Sequence, residues 1–148
     1  MYERFTDRAR KTMQFANADA CSRGHEYVAT EHVLYGLLKE DHGVYATVLS
    51  GMGIKKTDIL NRLDQLVSPD TSDLLMGKLP LTPRTKNVIE YSIGEARDFG
   101  HGYVGTEHLL LGLVRVAEGN ASIALQDNGF RLESGREAVI SLLGCNTE

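Results

Sequence analysis

Apolar residues recur every three or four positions along most of the chain. Ala9, Met13, Ala16 and Ala20 share one helical face, and Ile89, Ile93 and Ala96 share another. Val33, Leu34, Leu37 and Leu38 form a denser cluster, matched by Leu109, Leu110, Leu113 and Val114, and this predicts helices buried on most sides. Tyr45, Val48 and Leu49 mark a short third helix, matched by Ala121, Ala124 and Leu125. Ile59, Leu63, Leu66 and Val67 mark a fourth, matched by Val139, Leu142 and Leu143. No segment shows convincing period-two alternation. The pattern predicts eight helices and an all-α fold.

The residues between these stripes set the helix ends. Thr6 reads as an N-cap with Asp7 in the first turn, and Thr82 followed by Pro83 repeats the signal. Gly24 and Gly100 read as left-handed stops, so the first helix covers about Asp7–Arg23 and its copy about 83–99. Thr30 and Thr106 read as N-caps of the second helices. Gly36 and Gly112 each cost roughly 1 kcal/mol of helix propensity against alanine. Their matched placement predicts close helix–helix approach. Gly43 and Gly119 mark turns, Gly53 and Gly129 stop the third helices, and Gly135 reads as a weak point in the last one.

These matches form an internal repeat. A shift of 76 residues lays 5–67 on 81–143 without a gap, and 17 of the 63 aligned positions are identical. The densest identity is Gly-His-x-Tyr-Val-x-Thr-Glu-His at 24–32 and 100–108, a polar turn and not a core stripe. Loops carry function more often than packing, which directs attention there. Each half alone is too small to bury a sufficient core. The expected architecture is one compact eight-helix domain of two four-helix repeats, 5–67 and 81–143, related by a pseudo-twofold axis. The linker, 68–80, contains Pro69, Asp70, Ser72, Asp73 and Pro80. Its Leu74, Leu75 and Met76 predict that it lies against the protein. The two Thr-Glu-His turns are expected to be exposed on related faces.

Composition narrows the function. Net charge is -4 and the basic residues form no run, which opposes a nucleic-acid surface. Cys21 and Cys145 fall outside any C-x-x-C spacing and do not match across the repeat, so neither a zinc site nor a disulfide framework is expected. No apolar run reaches the roughly 18 residues of a membrane span, and the start of the chain is no signal peptide. A reducing cytoplasmic setting is expected. Met76-Gly77-Lys78-Leu79 lacks the first glycine and the Ser or Thr of a phosphate loop, so ATP hydrolysis is not expected.

The repeated turn has two readings. A glutamate in the first turn of a helix complements the helix dipole, worth roughly 0.3–1 kcal/mol. Duplication of the glutamate, the histidine after it and the flanking Tyr-Val-x-Thr favours a binding role. A fixed carboxylate holds a guanidinium in a fork, and free N–H groups at a helix start hold an anion. Glu31 and Glu107, with Thr30 and Thr106, are therefore candidates to recognise a group carrying both charges. His25, His32, His101 and His108 are expected to hydrogen-bond neighbouring loops or helix ends, with no metal and no cofactor. A small hydrolase built from these paired histidines and glutamates would require them to converge in one cleft.

The same residues resemble a family. The opening 1–11 (MYERFTDRARK), the doubled Gly-His-x-Tyr-Val-x-Thr-Glu-His, Leu-x-Gly-Leu after each copy, and Leu79-Pro80-Leu81-Thr82-Pro83-Arg84 are similar to the amino-terminal domain of Clp unfoldases, the ClpC type above all. The resemblance covers essentially the whole chain. It implies an all-helical domain that captures client proteins and docks adaptors for an AAA+ ATPase ring and its peptidase, and is not itself an enzyme. It further implies that Glu31 and Glu107, with Thr30 and Thr106 adjoining, bind the guanidinium of phosphoarginine on client proteins. Gly105 is the usual family residue before Thr-Glu-His. Ala29 departs from it, and its methyl group is expected to narrow the first pocket and weaken that site. The family's apolar groove corresponds to Tyr2, Leu81 and Lys86, with Leu81 where an aromatic is common. The sequence ends at Glu148, before any ATPase module. That leaves two readings: part of a full unfoldase, or a free-standing adaptor or accessory protein without phosphoarginine binding.

Overall fold

A computed structural model describes residues 2–144; Met1 and Cys145 lie outside them. Eight helices follow in order: α1 (Asp7–Arg23), α2 (Thr30–Glu40), α3 (Val44–Gly51), α4 (Lys56–Leu66), α5 (Pro83–Asp98), α6 (Thr106–Arg115), α7 (Asn120–Asp127) and α8 (Leu132–Leu143). Thr6 caps α1 by accepting from the Ala9 N–H, and Thr82 caps α5 by accepting from the Thr85 N–H. Gly24 and Gly100 take positive φ after α1 and α5.

The pseudo-twofold shows in reciprocal backbone bonds. Thr6 N–H donates to the Val104 carbonyl at 3.0 Å, and Thr82 N–H to the Val28 carbonyl at 3.1 Å. Val104 N–H donates to the Arg4 carbonyl and Val28 N–H to the Pro80 carbonyl, both at 2.8 Å. Each repeat thus pins the strip before its first helix to the Tyr-Val segment of the other. These two isolated bridges, Phe5 with Val104 and Val28 with Leu81, are the extended pairing found among the described residues.

Helices α2 and α6 form the centre. Val33, Leu34, Leu37, Leu109, Leu110, Leu111 and Leu113 have no solvent exposure. Helix α1 lies along α2, and α5 along α6. The axis is crossed by α3 on α6, α4 on α7 and α2 on α7. Both inner helices approach their partners through glycine. A methyl group at Gly36 would lie 2.9 Å from the Ala16 nitrogen, and one at Gly112 would lie 2.6 Å from the Val88 carbonyl oxygen. The propensity lost there is offset by packing that no side chain would permit.

Two sequence expectations need correction. Gly135 is no weak point: it is buried, and a methyl there would sit 2.6 Å from the Phe130 ring and 3.0 Å from Leu111. The linker does lie along α1, but polar bonds hold it. Thr71 N–H donates to the Arg23 carbonyl and Leu75 N–H to the Cys21 carbonyl. Asn17 donates to the Gly77 carbonyl and accepts from the Leu79 N–H, both at 2.8 Å. Leu74 and Met76 face solvent, 75% and 88% exposed.

Helix α8 is tied down by a buried acid. Glu95 is 1% exposed and accepts a fork of bonds from Arg136 at 2.7 and 2.8 Å and one from Arg115 at 2.7 Å. Burial alone would raise the Glu95 carboxyl, but the two guanidinium groups outweigh it and hold the pKa below its ordinary value. The arrangement locks α5, α6 and α8 together.

A two-repeat cleft at Glu31

The Thr-Glu-His turns open α2 and α6, but the capping is not what the sequence suggests. Thr30 and Thr106 are the first helical residues, and the N-caps are Ala29 and Gly105. The capping acceptor is the histidine three residues on: Ala29 N–H donates to His32 Nδ1 at 2.8 Å, and Gly105 N–H to His108 Nδ1 at 2.9 Å. Imidazole takes the place that Glu or Gln holds in a capping box. Thr106 turns across the axis, where its Oγ1 accepts from the Tyr45 N–H at the start of α3.

The histidines form a matched relay. His32 Nε2–H donates to His25 Nδ1 (2.8 Å), and His25 Nε2–H to the Pro69 carbonyl (3.1 Å). In the second repeat His108 donates to His101 (2.9 Å) and His101 to the Gly144 carbonyl (2.9 Å). A backbone donor at one end and a carbonyl at the other fix every tautomer. His25, Glu31 and His32 offer ligand atoms within 4.8 Å of one another. Both nitrogens of each ring are already engaged, so a metal or a catalytic proton transfer would have to break the relay.

The relay makes the fold acid-sensitive. Burial, with the neighbouring His25 and His101, lowers His32 and His108 from 6.5 to about 4. The unfolded chain takes up these protons as pH falls through 6.5, and the fold refuses them until about 4. The contribution is whole above pH 6.5 and lost as pH falls to about 4, up to about 3 kcal/mol per histidine. Glu107 works the other way: burial raises its carboxyl, so the fold gains that proton first and recovers part of the loss. Urea denaturation at pH 7 and pH 5 is expected to show a clear loss at pH 5, reduced in a His32→Gln/His108→Gln double variant. Equal stability at the two pH values would contradict it.

The turns are not exposed. Thr30 is 4% exposed, Glu31 9% and His32 1%; Thr106 and Glu107 are 1% and His108 is 0%. The start of a third helix from the opposite repeat covers each one. Gly43 abuts Thr106, and Gly119 abuts Thr30. Gly119 has φ +94, and a methyl there would lie 2.9 Å from Thr30 Oγ1 and 3.0 Å from Arg84 Cδ.

One turn still opens to solvent. A cleft of about 390 Å³ is lined by Ala29, Thr30 and Glu31 from one repeat and by Thr82, Pro83, Arg84, Gly119 and Asn120 from the other. Glu31 accepts at Oε1 from the Asn120 side-chain amide at 3.2 Å. Arg84 meets Glu118 at 3.1 Å, with both side chains in water. Such a pair is worth little and leaves Arg84 able to turn onto another anion. The cleft thus presents an acid, an exposed arginine loosely paired with Glu118, and the amino end of α7 together. Glu107 does not line this cleft: its Oε1 is buried without a hydrogen-bond partner among the described residues, and the Tyr103 hydroxyl donates to Oε2 at 3.4 Å.

A second groove, about 520 Å³, joins Tyr2 and Leu81 with Met13, Leu79, Arg10 and Lys78. Lys86 does not line it; it sits exposed on α5. Lys78 and Leu79 escaped the sequence reading because Asn17 brings the linker to the groove, a contact that no periodicity encodes. Among the described residues no helix is long and apolar enough to cross a membrane.

Comparison with known proteins agrees with this architecture. The chain is 41% identical over 146 residues to the negative regulator of genetic competence ClpC/MecB of Bacillus subtilis, covering 99% of this chain and 18% of that protein. It is 41% identical over 148 residues to the chaperone protein ClpC1, chloroplastic, of Arabidopsis thaliana, covering 100% of this chain and 16% of that one. The chain thus spans under a fifth of the length of these relatives. Among solved structures it is similar to the N-terminal domain of ClpD from Arabidopsis thaliana, with a TM-score of 0.72, 27% identity and coverage of 97% and 96% of the two chains. The Hsp104 N-terminal domain from Candida albicans shares the fold at a TM-score of 0.77 and 18% identity, with 97% and 94% covered. The model of the Clp repeat (R) N-terminal domain matches residues 4–128, and the chain belongs to that family.

Proposed function

We propose that this domain captures client proteins for a Clp-type AAA+ unfoldase and its peptidase, and that the Glu31 cleft recognises phosphoarginine on those clients. The observation that carries the reading is the convergence, in one cleft built by both repeats, of Glu31, Arg84 and the amino end of α7. Glu31 would take the guanidinium, with Thr30 bounding the same wall. Arg84 and the N–H groups at Gly119 and Asn120 would take the phosphate. A ligand with one charge leaves half of this unused. Binding is the task, not turnover: the imidazoles are committed to their relay, and no phosphate loop is present. The setting is cytoplasmic, or the plastid stroma in a plant; one relative is named chloroplastic.

Calorimetric titration with phosphoarginine, arginine and inorganic phosphate in turn tests this. Phosphoarginine is expected to bind at least tenfold more tightly than either half, and Arg84→Ala is expected to remove most of that advantage. Equal affinity for arginine and phosphoarginine would contradict the anion half of the site. A second reading, adaptor docking without phosphoarginine, is favoured by the apolar groove of Tyr2, Met13, Leu79 and Leu81 with Arg10 and Lys78 beside it. It fits a domain that docks adaptors, within an unfoldase or free-standing, and predicts no heat from phosphoarginine.

A further inference from the structure

Helix α1 meets solvent on two faces. Arg10, Met13 and Asn17 line the groove of Tyr2 and Leu81. Phe15, Ala18 and Asp19 share another face by the same spacing, and they line a separate hollow of about 250 Å³ with Tyr35 and Lys39 of α2. A pocket that encloses a whole small molecule usually measures roughly 300–1,000 Å³. This hollow has room for one side chain of a larger partner. It shares no lining residue with the Glu31 cleft or with the Tyr2 groove.

The hollow has a basic end. Lys39 Nζ lies 5.1 Å from the centre of the half-buried Phe15 ring, and Lys11 Nζ lies 5.7 Å from it. Both lysines are exposed, and neither has an ion pair among the described residues. The ring attracts both ammonium groups and gathers two cations over one apolar surface. An arriving carboxylate would relieve their mutual repulsion. The other end is neutralised. Asp19 accepts from Arg23 at 2.9 Å, the Tyr35 hydroxyl donates to Asp64 at 2.5 Å, and the Arg23 guanidinium lies 4.3 Å from the Tyr35 ring centre.

The second repeat closes the same arrangement from within. Tyr91, Arg115 and Glu95 are the mates of Phe15, Lys39 and Asp19. Arg115 lies 4.7 Å from the Tyr91 ring centre, but it donates to the buried Glu95 at 2.7 Å. Asn87 stands in the place of Lys11. The cation over the ring is answered inside the domain there and is left unanswered in the first repeat.

We infer that the Phe15 hollow docks an acidic segment of a partner protein, with an apolar side chain seated on Phe15 and flanking carboxylates on Lys11 and Lys39. A nucleic acid fits less well. Two cations are few for a phosphate chain, and Asp19 and Asp64 stand at the other end of the hollow.

Amide NMR with a capped peptide, a central phenylalanine flanked by glutamates, tests this. The same peptide with glutamines and with lysines serves for comparison. The glutamate peptide is expected to give saturable shifts at Phe15, Ala18 and Lys39, and the other two to give none at the same concentration. Lys11→Glu/Lys39→Glu is expected to weaken the binding about tenfold or more. Lys55→Glu/Lys86→Glu makes the same change of charge at exposed lysines elsewhere, and is expected to leave the affinity within about twofold. Ala18→Gln places a neutral side chain in the hollow from an exposed helical position, so the domain is expected to fold and the shifts to vanish. Equal shifts with the glutamine peptide, or binding untouched by reversal of Lys11 and Lys39, would overturn the inference. Tighter saturation of the same amides by an oligothymidylate would overturn it in favour of a nucleic acid. Shifts only outside the hollow, or none at millimolar peptide, would overturn it outright.

Discussion

Leu37→Ala or Leu113→Ala is expected to lower stability by roughly 2–5 kcal/mol. Both side chains have no exposure, and both belong to the helices at the centre of the domain. Helix α2 is packed against α1, α4, α5, α6 and α7, so the helix that carries Leu37 meets both repeats. Collapse into it would have to move helices held by reciprocal bonds across the axis. The loss should appear in a single cooperative urea transition, because the two halves bury each other. Leu74→Ala, at a side chain in solvent, serves as the control and should fall within about 0.5 kcal/mol of wild type. A loss below about 1 kcal/mol at Leu37, or two separate transitions, would contradict a shared core.

Glu31→Ala is expected to weaken phosphoarginine binding roughly 10- to 100-fold, the worth of a charge-assisted fork between carboxylate and guanidinium. Its effect on stability should stay under about 1 kcal/mol, the scale of a helix-dipole term. The two effects separate the readings of the duplicated glutamate. A carboxylate that serves only the helix start loses stability on substitution and leaves binding alone. One that serves a ligand does the reverse. Calorimetry and denaturation on the same preparation give both values.

The helices were legible because their causes are local. Leu34 and Leu37 share a face, Thr6 and Thr82 carry their own capping oxygens, and matched glycines at 36 and 112 mark where helices touch. The capping of α2 and α6 was not legible, since threonine is the usual cap and the imidazole that does the work lies three residues on. Burial of the two turns depends on the starts of α7 and α3, many residues distant in the chain, so it could not be read from the turns. Lys86 matched a family position, but it sits exposed on α5 and does not line the groove.

Phosphoarginine is expected to bind at Glu31, between the repeats. Amide NMR during titration with phosphoarginine tests the ligand and the place at once. Saturable shifts are predicted at Ala29, Thr30 and Glu31, at Gly119 and at the Asn120 side-chain amide, with the residues around Tyr2 and Leu81 unmoved. Shifts confined to that apolar groove, or none at all at millimolar ligand, would contradict it.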